Sequence, residues 1–250
     1  MLKHIGAAAG LLSIALVSAS GANAGDGSYP ASVNWTGFYI GGNAGYAWNS
    51  ADFSIAQTGA WVGEPLVDLA AATDGGLDLN GATFGGQLGY NQQQGRWVWG
   101  IEGDVVSLSA EASRLGGAIS GTSIGIFSQR AEASWMASIR GRVGMTFDRV
   151  LFYGTAGVAF ADWDVEMQMD SIGAVAVFRE SSVRTGWIVG GGIALALDRN
   201  WSVNGEYLFA DFGSIKGTSE FPPPALPNFT HDHKVKLETQ ILRAGLNYRF

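Results

Sequence analysis

Cysteine is absent from the 250-residue chain, only three histidines and six prolines are present, and charged residues make up just 15% of it. The missing thiols exclude disulfides and thiolate metal centres. The few prolines, with no Gly-X-Y period, exclude collagen even though 37 glycines are present, roughly twice ordinary usage. Soluble domains typically carry ~25% charged residues, so this chain has too little charge to cover an ordinary water-exposed surface, and part of that surface must meet lipid. A net charge of −7 with no run of Lys and Arg argues against nucleic acid as a partner. No G-x-G-x-x-G or G-x-x-x-x-G-K-[ST] occurs, so nucleotide binding has no support. Past the N-terminus the longest strongly apolar uncharged stretch is Thr185 to Leu197, well short of the ~20 residues of a membrane-spanning helix.

What is present begins with a targeting segment. Residues 1–24 read as a secretory signal, with Lys3 as the positive start, Ile5 to Ser18 as the apolar centre and Ala22-Asn23-Ala24 as the small-x-small cleavage site. Residues 25–34 then form a periplasmic lead, and 35–250 the folded domain. An apolar fraction of 47%, with Trp 9, Tyr 7 and Phe 13, excludes disorder.

From Trp35 onward the sequence alternates with period two. Phe38, Ile40, Ala44, Tyr46 and Trp48 share one face, with Tyr39, Gly41, Asn43 and Gly45 on the other. The same pattern recurs around Phe84, Trp99, Ile139, Phe152, Val189, Val203 and Leu246, which makes eight strands. Hairpin-sized turns at 93–96, 148–149 and 198–200 alternate with long connections at 50–80, 109–131, 162–182 and 211–236. Long loops at one end, short turns at the other and an even strand number are the pattern of an outer-membrane barrel. Aromatics gather at both ends of the apolar face, as in two interfacial girdles, while the opposite face is rich in glycine and small polar residues. The expected fold is an all-β, eight-stranded antiparallel up-and-down transmembrane barrel. A lipocalin-like soluble barrel with the apolar face inward is the alternative these observations disfavour.

The signal segment, the Trp35-Thr36-Gly37-Phe38-Tyr39-Ile40-Gly41 strand, the Gly-Gly-x-Leu-Gly-Tyr-Asn run at 85–91 and the terminal Asn247-Tyr248-Arg249-Phe250 together resemble the porin-like outer-membrane antigen family of alphaproteobacteria. That resemblance implies an eight-stranded barrel related to the membrane domain of outer-membrane protein A, and the chain is expected to act as a monomer. It also implies a C-terminal barrel-assembly signal, here Tyr248 and Phe250, read by the assembly machinery.

On the inward face the charges are Glu102, Asp104, Glu132 and Glu206 against Arg140, Arg142, Arg184 and Arg243. Buried charges persist only when paired, so these are expected to form a salt-bridge plug. A charged constriction in a narrow porin is the alternative. For the plug, alanine at Glu206 or Arg140 is therefore expected to raise conductance from near zero. His231-Asp232-His233 could ligate a metal or hold haem, but with no third distant ligand it reads as a solvated tip of the last loop. No catalytic residues and no cofactor are expected; a Ser-His-acid lipid hydrolase lacks a suitably spaced serine. The expected role is structural, in envelope integrity, with loop-mediated haem or adhesin binding as a further alternative. Excluding the signal, the net charge of −8 falls in the four long connections, −5, +1, −4 and 0 in chain order. The expected outside partner is therefore lipopolysaccharide, approached through divalent cations.

Overall fold

The computed structural model describes residues 33–59, 75–116, 125–171, 174–220 and 229–250. The signal segment, residues 25–32 of the lead and the proline-rich 221–227 lie outside the described residues. Eight antiparallel strands, β1 (Gly37–Gly59), β2 (Gly75–Gln94), β3 (Trp97–Gly116), β4 (Gly125–Phe147), β5 (Val150–Ser171), β6 (Ala174–Ala196), β7 (Trp201–Glu220) and β8 (Phe229–Arg249), pair in chain order and close β1 onto β8. Closure leaves no open backbone edge, the condition for a sheet in hydrocarbon.

The strands are 20–23 residues long, about twice the length needed to cross a bilayer. On β1 the outward apolar band runs from Phe38 to Trp48, a height of about 25 Å at ~3.3 Å per residue and ~40° tilt. Above Trp48 the strand continues to Gly59, about 25–30 Å further along the barrel axis by the same geometry. The connections expected to be long loops are thus largely strand. Between β5 and β6 only residues 172–173 separate the two.

The reason is a reversal of chemistry without a reversal of pleat. Within the band, outward residues are apolar and inward ones small or polar. Above it, Asp52 and Ser54 face out while Ala51, Phe53 and Ile55 face in; on β5, Asp162, Asp164 and Glu166 face out while Trp163, Val165 and Met167 fill the interior. Outside is lipid below this level and water above it, so each face takes the residues its solvent demands. Following an outward apolar stripe therefore loses the strand where it leaves the membrane.

Turn chemistry sets the other end. Asp148 adopts φ 52 in the two-residue turn between β4 and β5, a left-handed conformation in which Asp is enriched. Asp198 Oδ1 accepts hydrogen bonds from the backbone N–H of Asn200 and Trp201, both at 2.7 Å, closing the β6–β7 turn.

Candidate functional site

The barrel interior is layered. At the turn end Trp35 folds back into the mouth at 3% exposure and packs with Val98, Leu151, Ala194 and Ala196. Its backbone N–H donates to Gln93 Oε1 at 2.7 Å and its indole N–H to Thr146 Oγ1 at 3.1 Å, so the aromatic ring is held as a lid. The lid was not expected from the sequence, where Trp35 reads as the first strand residue.

Above the lid lies a charged layer from four strands. Glu102 of β3 stands opposite Arg140 of β4 in the ladder, and Glu206 of β7 opposite Arg243 of β8. Both are ion pairs, Arg140 Nη2 to Glu102 Oε1 at 2.5 Å and Arg243 Nη2 to Glu206 Oε2 at 2.6 Å. The two pairs then cross-link through the lumen. Arg140 Nη1 reaches Glu206 Oε1 at 3.1 Å, and the Arg243 guanidinium donates to Asp104, which also accepts from the Ser138 hydroxyl. Arg142 Nη2 binds Glu102 Oε2 at 2.8 Å and stacks its guanidinium 3.9 Å from the Tyr153 ring centroid. Three carboxylates and three guanidinium groups give a formally neutral layer. Arg140 and Arg243 are wholly buried, so each charge is held by its partners rather than by water.

Two tyrosines extend this layer. Tyr39 donates to Glu102 Oε2 at 2.5 Å, and Tyr153 accepts from Asn204 Nδ2 at 3.3 Å. Each stands directly opposite a glycine in its ladder, Tyr39 facing Gly89 and Tyr153 facing Gly192. A Cβ at Gly89 would lie 2.5 Å from the Tyr39 Oη, and one at Gly192 2.6 Å from that of Tyr153. These glycines are the floor on which the rings lie. An amide chain, Asn43 to Gln87 to Asn247 to Asn204 with donor–acceptor distances of 2.6–2.9 Å, links β1, β2, β8 and β7 around the wall. Between lid and charged layer a cavity of about 20 Å³ remains, roughly the room for one water.

One pleat step above the charges, Val106, Met136, Ala159, Ile188, Leu208 and Ile241 point inward at 1% exposure or less. They begin an apolar core that continues through Leu79, Leu108, Trp163, Ile215 and Leu237. The charged layer is thus enclosed between two apolar ones.

Of the eight lumen charges expected from the sequence, Glu102, Asp104, Arg140, Arg142, Glu206 and Arg243 come together; Glu132 and Arg184 do not. A β-bulge shifts the β4 register between Ala133 and Met136, so Ala131 and Ala133 are buried while Glu132 faces outward, half-exposed, 3.6 Å from Arg130. Counting alternate residues across a bulge puts every later residue on the wrong face. Arg184 keeps the inward pleat but sits higher, paired with Glu180 at 3.0 Å. His231 and His233 belong to β8, not to a loop tip. His233 is buried and stacked on Phe178, ring centroids 5.1 Å apart; the His231 side chain lies outside the described residues. Among the described residues no group of three or more His, Cys, Asp or Glu could hold a metal ion. Tyr248 packs edge-on against both Trp201 and Phe250 at the turn-end rim.

The sequence matches the family described as outer membrane protein beta-barrel domain over residues 9–250. Similar proteins include the 31 kDa outer-membrane immunogenic protein of Brucella melitensis, 29% identical over 87% of this chain and 84% of that protein. The 22 kDa outer membrane protein of Rhizobium leguminosarum bv. viciae is 30% identical over 72% of this chain and 66% of its own length. Among solved structures, the outer membrane protein OprG from Pseudomonas aeruginosa matches with a TM-score of 0.51 at 13% identity, covering 87% of this chain and 98% of that one; that likeness concerns the fold.

Proposed function

The chain belongs to the outer-membrane protein β-barrel family and resides in the outer membrane, and from that premise we propose that it is a sealed structural and surface protein of the envelope rather than a pore. The single observation that carries this reading is the charged layer itself: Arg140 and Arg243, at 0% side-chain exposure, span the lumen between carboxylates on opposite walls. An eight-stranded barrel is just wide enough for side chains to fill it. Among the described residues the filling is electrostatic in the middle and apolar on both sides, which supports a lumen closed to ions.

In this reading residues 1–24 are removed on export and the chain works as a monomer without cofactor or catalysis. Tyr248 and Phe250 present the terminal strand to the barrel-assembly machinery. Support for the last point is that Phe250 is 75% exposed while its backbone N–H is held by Phe38 O at 3.0 Å, so that most of the ring stays open to a partner beyond its edge contact with Tyr248. The names of the Brucella relatives record immunogenic proteins, which fits a barrel whose upper half stands clear of the membrane. Lipopolysaccharide is its neighbour there, bridged to the acidic β5 face through divalent cations. Two measurements test the role. Liposomes carrying the refolded barrel should fail to swell in isotonic sugar, and a strain lacking the protein should become sensitive to detergent. Sugar uptake by the liposomes, or an unchanged detergent threshold, would overturn it.

A further inference from the structure

Outside the sequence's N-terminal segment the chain has three lysines, Lys216, Lys234 and Lys236, and all three face outward on β7 and β8 above the membrane band. Lys216 and Lys234 stand directly opposite one another in the β7–β8 ladder, and Ser54 of β1 flanks Lys234 on its other side. Like charges facing each other across a ladder repel. Elsewhere above the band the cations are neutralised: Arg130 by Glu111, Arg179 by Glu166, Arg184 by Glu180. Lys236 bonds Glu238 and stands opposite Asp52. Lys216 and Lys234 make no ion pair among the described side chains. Asp232, in the next row, accepts from the Thr218 hydroxyl at 2.8 Å and keeps its charge, so the groove sets two ammonium groups against one carboxylate. The pair rims an open groove of about 530 Å³, lined also by Ser54, Thr218, Asp232 and His233.

The height of this groove selects its ligand. The upper girdle on these strands lies at Trp48, Gln240 and Phe209, which share one ladder row, and Lys234 is six residues above Gln240. Six residues raise it about 15 Å above the girdle, whereas phospholipid headgroups extend only about 5–8 Å beyond the hydrocarbon. A lysine stem bent toward the membrane still ends above that layer. The outer leaflet's glycolipid is the membrane component whose anionic groups stand on a tall sugar stalk.

Resting on the outer-membrane placement above, we propose that Lys216 and Lys234 form a binding site for the anionic inner sugar region of lipopolysaccharide, contacting it directly rather than through a divalent cation. The Ser54 hydroxyl, beside Lys234, adds a further polar group to the two ammonium groups. The barrel's outer wall is then divided, with direct anion contact on β7–β8 and carboxylates on β5.

The test uses refolded full-length barrel in neutral-lipid nanodiscs without divalent cations. Its folded state is first verified by the difference in gel migration between heated and unheated samples; failure there counts against the barrel placement, not the site. Thermal unfolding is then followed while titrating lipopolysaccharide with a phosphorylated inner core, lipid A lacking that core, phosphatidylglycerol and inorganic phosphate. The complete-core glycolipid should raise the midpoint of wild type, and the other three should not. In Lys216→Gln/Lys234→Gln the half-saturating concentration should rise about tenfold or more, because two charge-assisted contacts are lost. Equal responses of wild type and the double variant would overturn the site, as would equal responses to lipid A or free phosphate. Should the double variant not fold, salt settles the matter: the wild-type response to complete-core glycolipid should collapse between low and high ionic strength, and a salt-independent response refutes an ionic site.

Discussion

Arg140 on β4 and Glu206 on β7 lie 66 residues apart in the chain and meet across the barrel lumen, Nη1 to Oε1 at 3.1 Å. Each also holds a partner on its neighbouring strand, so this contact ties opposite walls together. Removing either member leaves an uncompensated charge in a layer that water does not reach. For Arg140→Ala the expected cost is about 3–5 kcal/mol, read as an earlier midpoint in urea unfolding of the micelle-refolded barrel. Conductance should nevertheless stay near zero. The sequence alone led to the opposite expectation, because it pointed to one plug; in the proposed reading the apolar ring of Met136, Leu208 and Ile241 above and the Trp35 lid below add two further seals.

Glu132 and Arg184 supply the internal comparison. Both were expected in the network, and both are partly exposed with a single ion-pair partner each, Glu132 on the outer face and Arg184 in the upper interior. Exposed pairs contribute little, so Glu132→Ala and Arg184→Ala should each shift stability by no more than about 0.5 kcal/mol in the same urea assay. A loss comparable to that of Arg140→Ala would place them in the network after all.

The strand number, the band of outward apolar residues and six of the eight network residues were legible because alternation fixes a face. Which carboxylate meets which guanidinium was not, since that depends on register across strands. Glu132 was misplaced for a related reason: the bulge at Ser134 and Trp135 leaves no unambiguous mark in sequence. The upper half of the barrel was missed because its alternation has inverted chemistry, Trp163 and Val165 in and Asp162 and Asp164 out. Lys216 and Lys234, 18 positions apart, form no basic run and become neighbours only through β7–β8 pairing.

The glycine floor under the tyrosines predicts a packing effect at a residue that carries no charge. Gly89→Ala brings a methyl group to within 2.5 Å of the Tyr39 Oη. Tyr39 must shift and lose its bond to Glu102, at an expected cost of about 1–3 kcal/mol. Tyr39→Phe, which removes the hydroxyl but leaves the ring, should cost less; the reverse order, seen in parallel urea titrations, would contradict the steric reading.

The Asp198 turn predicts a pH dependence of known sign. Backbone N–H bonds from Trp201 and Asn200 hold its carboxyl below the usual carboxylate range. A depressed folded-state value means the stabilisation is present above the unfolded carboxylate pKa and is lost as pH falls through the lowered folded value. The stability difference between wild type and Asp198→Ala should therefore be largest near neutrality and shrink in acid. A difference that grows on acidification would show that the turn binds the neutral acid instead.

Single-channel recording of wild-type barrel refolded into planar bilayers tests the sealed lumen most directly. A lumen closed by Arg140, Arg243 and their carboxylates, with apolar layers on either side, predicts a flat baseline with no stable conductance steps in wild type or in Arg140→Ala. Regular steps in wild type that change ion selectivity in Arg140→Ala would contradict it, and would show the charged layer to be the constriction of an open pore.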